Sequence, residues 1–180
     1  MKETIILTGF MGSGKTTIGK ALAEEYGFDF IDTDKQIEIS QAKSIKEIFV
    51  SKGEAYFRRL ETDILRKMIS ELEKPCIIAA GGGMLLCKEN QLFMKQMGKI
   101  VYLEASLQTI SKRLENSESR PLLNIPNRRQ KMHDLLKERT PTYTEAADFI
   151  IDINDKTTEQ IVAEIKSLMV YSLTSESRTT

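Results

Sequence analysis

The residues whose chemistry is easiest to read lie near the N-terminus, in Gly9-Phe10-Met11-Gly12-Ser13-Gly14-Lys15-Thr16. Glycines at these positions let backbone N–H groups wrap phosphate oxygens where a β-carbon would block close approach. A helix beginning near Lys15 adds the positive end of its dipole. Lys15 can reach the β and γ phosphates of a nucleotide, and the Thr16 hydroxyl can ligate Mg2+. The run is a complete P-loop, so the expected ligand is a nucleotide phosphate. The bland alternative is a Gly-rich turn followed by Lys and Thr by chance.

Further candidates follow along the chain. Asp32 and Asp34 sit at or just beyond the end of a short apolar run and could point together toward a nucleotide. Capping of the next helix explains them equally well. In Phe57-Arg58-Arg59-Leu60-Glu61, Arg58 and Glu61 share a helical face, so the carboxylate could hold the guanidinium in place. Taken alone, such a pair is more simply a solvated surface contact. Gly81-Gly82-Gly83 forfeits helix and strand stability for backbone access, with a flexible turn as the plain alternative. Arg120, in Arg120-Pro121-Leu122-Leu123, suits a lid that carries a cation to a phosphate, or is merely a loop arginine. Arg139 precedes Thr140-Pro141, where a cation at a helix end also suits the dipole. His133, the single histidine, stands among Lys131, Asp134 and Lys137 with no nucleophilic set around it and is expected at the surface. Met84, Met94 and Met97 are expected as core filler.

These residues need a scaffold, and the hydrophobic pattern supplies one. Short apolar runs at residues 4–8, 28–31, 76–80, 100–103 and 149–153 predict strands. Helical spacing appears at 15–26, 36–39, 45–52, 54–72, 107–116, 127–139 and 158–173. The run at 76–80, bounded by Pro75 and Gly81, reads as a central strand buried on both faces. Strands alternating with helices predict a parallel sheet wrapped by helices, with ligands at the carboxyl ends of the strands. The expected organisation is one domain over residues 1–173 and a Ser/Thr-rich frayed tail at 174–180.

Composition narrows the partners. The chain of 180 residues carries 26 basic and 26 acidic side chains, so no overall field gathers nucleic acid or an anionic membrane. Neither Cys76 nor Cys87 belongs to a disulfide framework or a zinc-type pair, and both are expected as reduced thiols. No segment approaches the roughly 18 uninterrupted apolar residues of a membrane span, and no leader pattern is evident. A soluble, cytoplasmic protein is expected. The absence of a heptad or a broad apolar stripe favours a monomer.

As a set, the P-loop, Asp32 and Asp34, the Phe57–Glu61 segment, the triple glycine, Arg120-Pro121-Leu122-Leu123 and Arg139 resemble shikimate kinase in identity, order and spacing. The resemblance spans about residues 4–170. It implies a P-loop NTPase of the nucleoside-monophosphate-kinase-like, three-layer α/β fold, with a five-stranded parallel sheet. It also implies a substrate-binding region at about 33–61 and a lid at about 112–127. The implied reaction moves the γ-phosphoryl of ATP to the 3-hydroxyl of shikimate, in aromatic amino acid biosynthesis.

Carried over by residue, the resemblance implies that Gly12, Ser13, Gly14, Lys15, Thr16 and Thr17 hold the ATP phosphates. Lys15 and Arg120 would stabilise the transferring group, and Thr16 would ligate Mg2+ with Asp32 behind a water. Asp34 would meet the substrate hydroxyls and is the candidate proton acceptor. Arg58 and Arg139 would grip the substrate carboxylate, Glu61 would orient Arg58, and Gly81, Gly82 and Gly83 would approach the substrate by backbone. Phe49 and Phe57 would wall the ring. Arg113 matches a position that stacks on adenine, and the loop carrying Lys156 would flank the base, although relatives often have Arg and Pro there. The assignment is chemically coherent: a hydroxylated carboxylic acid needs a cation clamp for its carboxylate and a carboxylate acceptor for its hydroxyls. Two rivals remain: a kinase for another hydroxy acid such as gluconate, and a non-catalytic nucleotide-binding sensor.

Overall fold

A computed structural model describes residues 3–114 and 127–176. Within them, five strands form one sheet: β1 (Thr4–Thr8), β2 (Asp29–Asp32), β3 (Cys76–Ala79), β4 (Gly98–Glu104) and β5 (Phe149–Asp152). Their order is β2-β3-β1-β4-β5, and every pairing is parallel. The register sets Ile6 beside Ile78 on one side and Ile100 on the other, and all three are fully buried. Parallel strands covered by helices on both faces read as apolar runs, as β3 and the Ile5–Leu7 centre of β1 do, and both strands are buried along their whole length. β2 and β5 lie at the edges and are only partly covered.

Among the described residues, eight helices join and cover the strands: α1 (Lys15–Tyr26), α2 (Thr33–Gln41), α3 (Ile45–Lys52), α4 (Glu54–Glu71), α5 (Lys88–Met97), α6 (Leu107–Leu114), α7 (Arg128–Ala146) and α8 (Thr158–Glu176). A short 3-10 turn at Met84–Leu86 precedes α5. α1 ends at Gly27, which takes the left-handed conformation that glycine adopts without cost. α3 opens with a capping box, the Ser44 side chain accepting from the Glu47 N–H while the Glu47 carboxylate accepts from the Ser44 N–H. α2, α3 and α4 enclose a second small core of Ile37, Ile48 and Phe57 beside the main one.

Several elements differ from their sequence expectation. α5 is not among the expected helices, because its polar opening Lys88-Glu89-Asn90-Gln91 and exposed Leu92 obscure the short inward face of Phe93, Met94 and Met97. Met84 and Met94 nevertheless fill the core as expected, and Met97 packs against it. α7 does not end at Arg139. It runs seven residues further, through Pro141. Proline removes one helical N–H and crowds the preceding turn. The helix continues because Tyr143 and Ala146 beyond it are buried in the core. α8 continues to Glu176, past the expected end at Leu173. The central part of the expected lid, including Arg120, lies outside the described residues. His133 is exposed beside Asp134, and both cysteines are free, Cys76 buried and Cys87 exposed. No helix among the described residues is long and apolar enough to cross a membrane.

Candidate active site

The sheet delivers the candidates to one end, just past its carboxyl edges. After β1, Gly9, Gly12 and Gly14 have positive φ values of 140°, 81° and 89°, which side chains rarely tolerate. Gly9 has a second reason to be glycine: a β-carbon there would lie 2.7 Å from the Leu103 carbonyl oxygen of β4. The loop therefore depends on its neighbours in the sheet as well as on phosphate access. Lys15 Nζ donates to the carbonyls of Gly9 (2.8 Å) and Phe10 (3.0 Å) and reaches Ser13 Oγ at 3.4 Å.

At the end of β2, Asp32 does two things at once. Its Oδ1 caps α2 by accepting from the Lys35 N–H at 3.2 Å, and its Oδ2 accepts from the Thr16 hydroxyl at 2.8 Å. Helix capping and a place beside the P-loop are thus compatible. Asp34 lies in the first turn of α2. Thr33 between them is buried and ties two strand ends together, donating to the Ala79 carbonyl and accepting from the Gly81 N–H at 2.9 Å.

The triple glycine after β3 is enclosed by the polar groups of the site. A β-carbon on Gly81 would meet Asp34 Oδ1 at 2.8 Å and Glu61 Oε1 at 2.9 Å, so both carboxylates converge on this residue. A β-carbon on Gly83 would overlap the Arg58 guanidinium. Glycine is needed here for close side-chain approach.

α4 supplies the next pair. Its buried stripe runs Phe57, Glu61, Leu65, Met68, placing a carboxylate at an apolar position. Glu61 is 1% exposed, and its Oε2 accepts from Arg58 Nη1 at 2.7 Å. Burial pushes the Glu61 carboxyl up to about 7; Arg58 opposes that shift, and the Asp34 charge adds to it. Burial works against the charge of Arg58, yet Glu61 and Glu54 outweigh it and hold its pKa above the ordinary arginine value. The surface-contact reading of this pair is excluded by the burial of Glu61.

Arg139, from the interior of α7, is 5% exposed and forms no ion pair among the described residues. Its Nη1 is 3.5 Å from the Gly82 carbonyl, and its Nε is buried without a hydrogen-bond partner. A buried guanidinium in this state is chemically suited to an anion. Asp34, Arg58, Glu61, Gly82, Gly83 and Arg139 line one cavity of roughly 460 Å3 including its mouth. Phe49 and Phe57 wall it with ring centroids 4.9 Å apart, and Met11 and Ile45 complete the lining.

Comparison with known proteins gives this arrangement its place. Residues 11–170 match the family described as shikimate kinase. The chain belongs to the shikimate kinase family. A shikimate kinase of Caldanaerobacter subterraneus subsp. tengcongensis is 42% identical over 163 residues, covering 91% of this chain and 94% of that protein. One of Dictyoglomus turgidum is 39% identical over 168 residues, covering 92% and 96%. The solved structure of the Acinetobacter baumannii shikimate kinase in complex with shikimate superposes with a TM-score of 0.90 at 37% identity, covering 96% of this chain and 95% of that one. The parallel five-stranded sheet and its helices are those of the nucleoside-monophosphate-kinase-like P-loop fold, and the chain is an enzyme of this ATP-using kinase family.

The positions matched to shikimate kinases by sequence fall in two groups. Asp34, Phe49, Phe57, Arg58, Glu61, Gly82, Gly83 and Arg139 are gathered at the cavity, with Gly81 against Asp34 and Glu61. Arg113 packs on the P-loop, its Nη1 donating to the Ser13 carbonyl at 3.1 Å. Lys156 is paired with Glu164 of α8. The sequence left Thr33, Ile45 and Tyr143 unremarked. Tyr143 lies one helical turn past Arg139 and donates its hydroxyl to the Gly82 carbonyl. A helix carried through Pro141 would have exposed that i,i+4 relation.

Proposed function

We propose that this chain transfers the γ-phosphoryl group of ATP to the 3-hydroxyl of shikimate, giving shikimate 3-phosphate for aromatic amino acid biosynthesis. The observation that carries the reading is the single cavity that gathers two arginines and two carboxylates beside the P-loop. Shikimate offers one carboxylate and a row of hydroxyls, and the cavity offers the complement of both.

On the donor side, the backbone from Gly12 to Thr17 cradles the phosphates, and Lys15 exchanges its carbonyl contacts for phosphate oxygens. Thr16 and Asp32 form a hard oxygen pair 2.8 Å apart, which fits Mg2+. The ion, when bound, neutralises phosphate charge. Arg113 and Lys156 flank the nucleotide base, and Arg120 closes on the phosphates and excludes water. On the acceptor side, Arg58 and Arg139 hold the carboxylate, the latter through donors that include its unpartnered Nε. Glu61 fixes Arg58, Phe49 and Phe57 wall the ring, and the glycines at 81–83 approach by backbone. Asp34 accepts the proton of the attacking hydroxyl at its carboxylate. Positioning and charge neutralisation then suffice, without a covalent intermediate.

The lack of a heptad or broad apolar stripe in the sequence supports a monomer, and its ATP requirement is met in the cytoplasm. A coupled ADP-release assay tests the reading with shikimate, gluconate, nucleoside monophosphates and no acceptor. Stimulation by shikimate alone is expected. Stimulation by another acceptor instead would overturn the substrate, and no turnover with any acceptor would favour a sensor.

A further inference from the structure

Gly81 to Met84 form a tight turn, the Met84 N–H donating to the Gly81 carbonyl at 3.0 Å. Gly83, its third residue, has φ −108° and ψ −5°, the values of a type I turn. A type II turn uses the same end-to-end bond but requires a strongly positive φ at the third position, which reverses the central peptide. Any residue with a side chain at position 83 would favour type I. Arg58 leaves no room for one, so position 83 must be glycine, and glycine takes either sign of φ. The turn's own sequence therefore cannot choose its conformation.

The choice is made from α7. Tyr143 donates its hydroxyl to the Gly82 carbonyl, and Arg139, one helical turn earlier on the same face, approaches that oxygen too. Tyr143 is fully buried, and its ring packs on Tyr102 with centroids 5.2 Å apart, which leaves the hydroxyl little freedom. We propose that Tyr143 is a positioning residue that locks the Gly82–Gly83 peptide in its type I orientation and so sets the polarity of the backbone at the acceptor cavity. Because the peptide is planar and trans, holding the Gly82 carbonyl toward Tyr143 turns the Gly83 N–H to the opposite side. Reversal would exchange donor and acceptor at a wall built for an anionic, hydroxylated substrate. It would also take from Arg139 the carbonyl it rests against. Burial pushes the Tyr143 phenol up to about 12, so it remains a proton donor across the working pH range. The effect on kinetics rests on the acceptor assigned above, whereas the effect on the turn does not.

Tyr143→Phe tests the lock, since it keeps the ring and removes one hydroxyl. A crystal structure of the unliganded variant is expected to show positive φ at Gly83. With the loss of one hydrogen bond, the KM for shikimate is expected to rise roughly three- to tenfold while the KM for ATP stays unchanged. Tyr102→Phe, which loses a neighbouring buried hydroxyl and keeps the Tyr143 bond, is expected to leave both KM values and the turn alone. A negative φ at Gly83 in Tyr143→Phe overturns the proposal, as does an equal rise in shikimate KM in Tyr102→Phe. Should the Phe variant fail to fold, the wild-type complex with shikimate decides: retention of the Tyr143–Gly82 bond supports the lock, and a Gly82 carbonyl turned away from Tyr143 refutes it. The φ readout needs no turnover, so it stands even if shikimate proves not to be the acceptor.

Discussion

Glu61 occupies a position that helical periodicity assigns to an apolar side chain, one turn from Phe57 and one from Leu65. Its cost to the fold is readable as a pH dependence. With a carboxyl raised from 4.5 to about 7, the folded protein keeps a proton that the unfolded chain has released between those values. The group's stabilising contribution is thus fully present below pH 4.5 and lost as the pH rises through about 7. Glu61→Gln should abolish that slope, changing the pH dependence of unfolding free energy by about 3 kcal/mol at most across the window. Urea unfolding midpoints at a series of pH values check this; parallel curves for variant and wild type would contradict it. Arg58→Ala should act on the substrate instead. Loss of a charge-assisted contact made only to the acceptor predicts a rise in shikimate KM of roughly tenfold or more, with ATP KM little changed. Equal rises for both substrates in steady-state kinetics would remove Arg58 from its assigned role.

Among the elements, α3 and α7 show how local chemistry and tertiary packing divide the work. α3 is only eight residues long and depends on its capping box, in which Ser44 and Glu47 satisfy each other's N–H groups. Ser44→Ala should lower stability by about 1 kcal/mol, measured by chemical unfolding. A change within error would mean that packing of Ile48, not the cap, sustains the helix. The start of α3 was legible from the helical spacing at 45–52, and the pair Ser44 and Glu47, three apart before an apolar run, is a second local signal that the sequence carries there. The end of α7 was not, since Pro141 is a local stop signal that buried Tyr143 and Ala146 override. That override is what sets Arg139 in a helix interior, with Tyr143 one turn behind it, rather than at a frayed end.

At the scale of the whole molecule, acceptor binding should couple to global stability, because the cavity is assembled from the P-loop, α2, α3, α4, α7 and the turn after β3. Shikimate at about a hundred times its Kd should add roughly 2.7 kcal/mol, or a rise in Tm of about 5–10 °C. Differential scanning fluorimetry checks it; gluconate giving the larger shift at equal concentration would point to a different acid. The P-loop, the strands and most helices were readable because their signals are local: glycine conformation, capping residues and hydrophobic period all act within a few neighbours. The order, identity and spacing of the downstream motifs likewise sufficed to place the chain in its family. What the sequence left undecided were Asp32 as cap or P-loop partner, Glu61 as surface ion pair or buried carboxylate, and Arg139 as helix-end cation or site arginine. Those alternatives differ only in burial and in contacts between segments far apart in the chain, as when α7 reaches the turn after β3 across 61 residues to join Tyr143 to Gly82. Only the sheet order and the packing of helices across it determine which distant groups meet, and therefore which charges are taken out of water together.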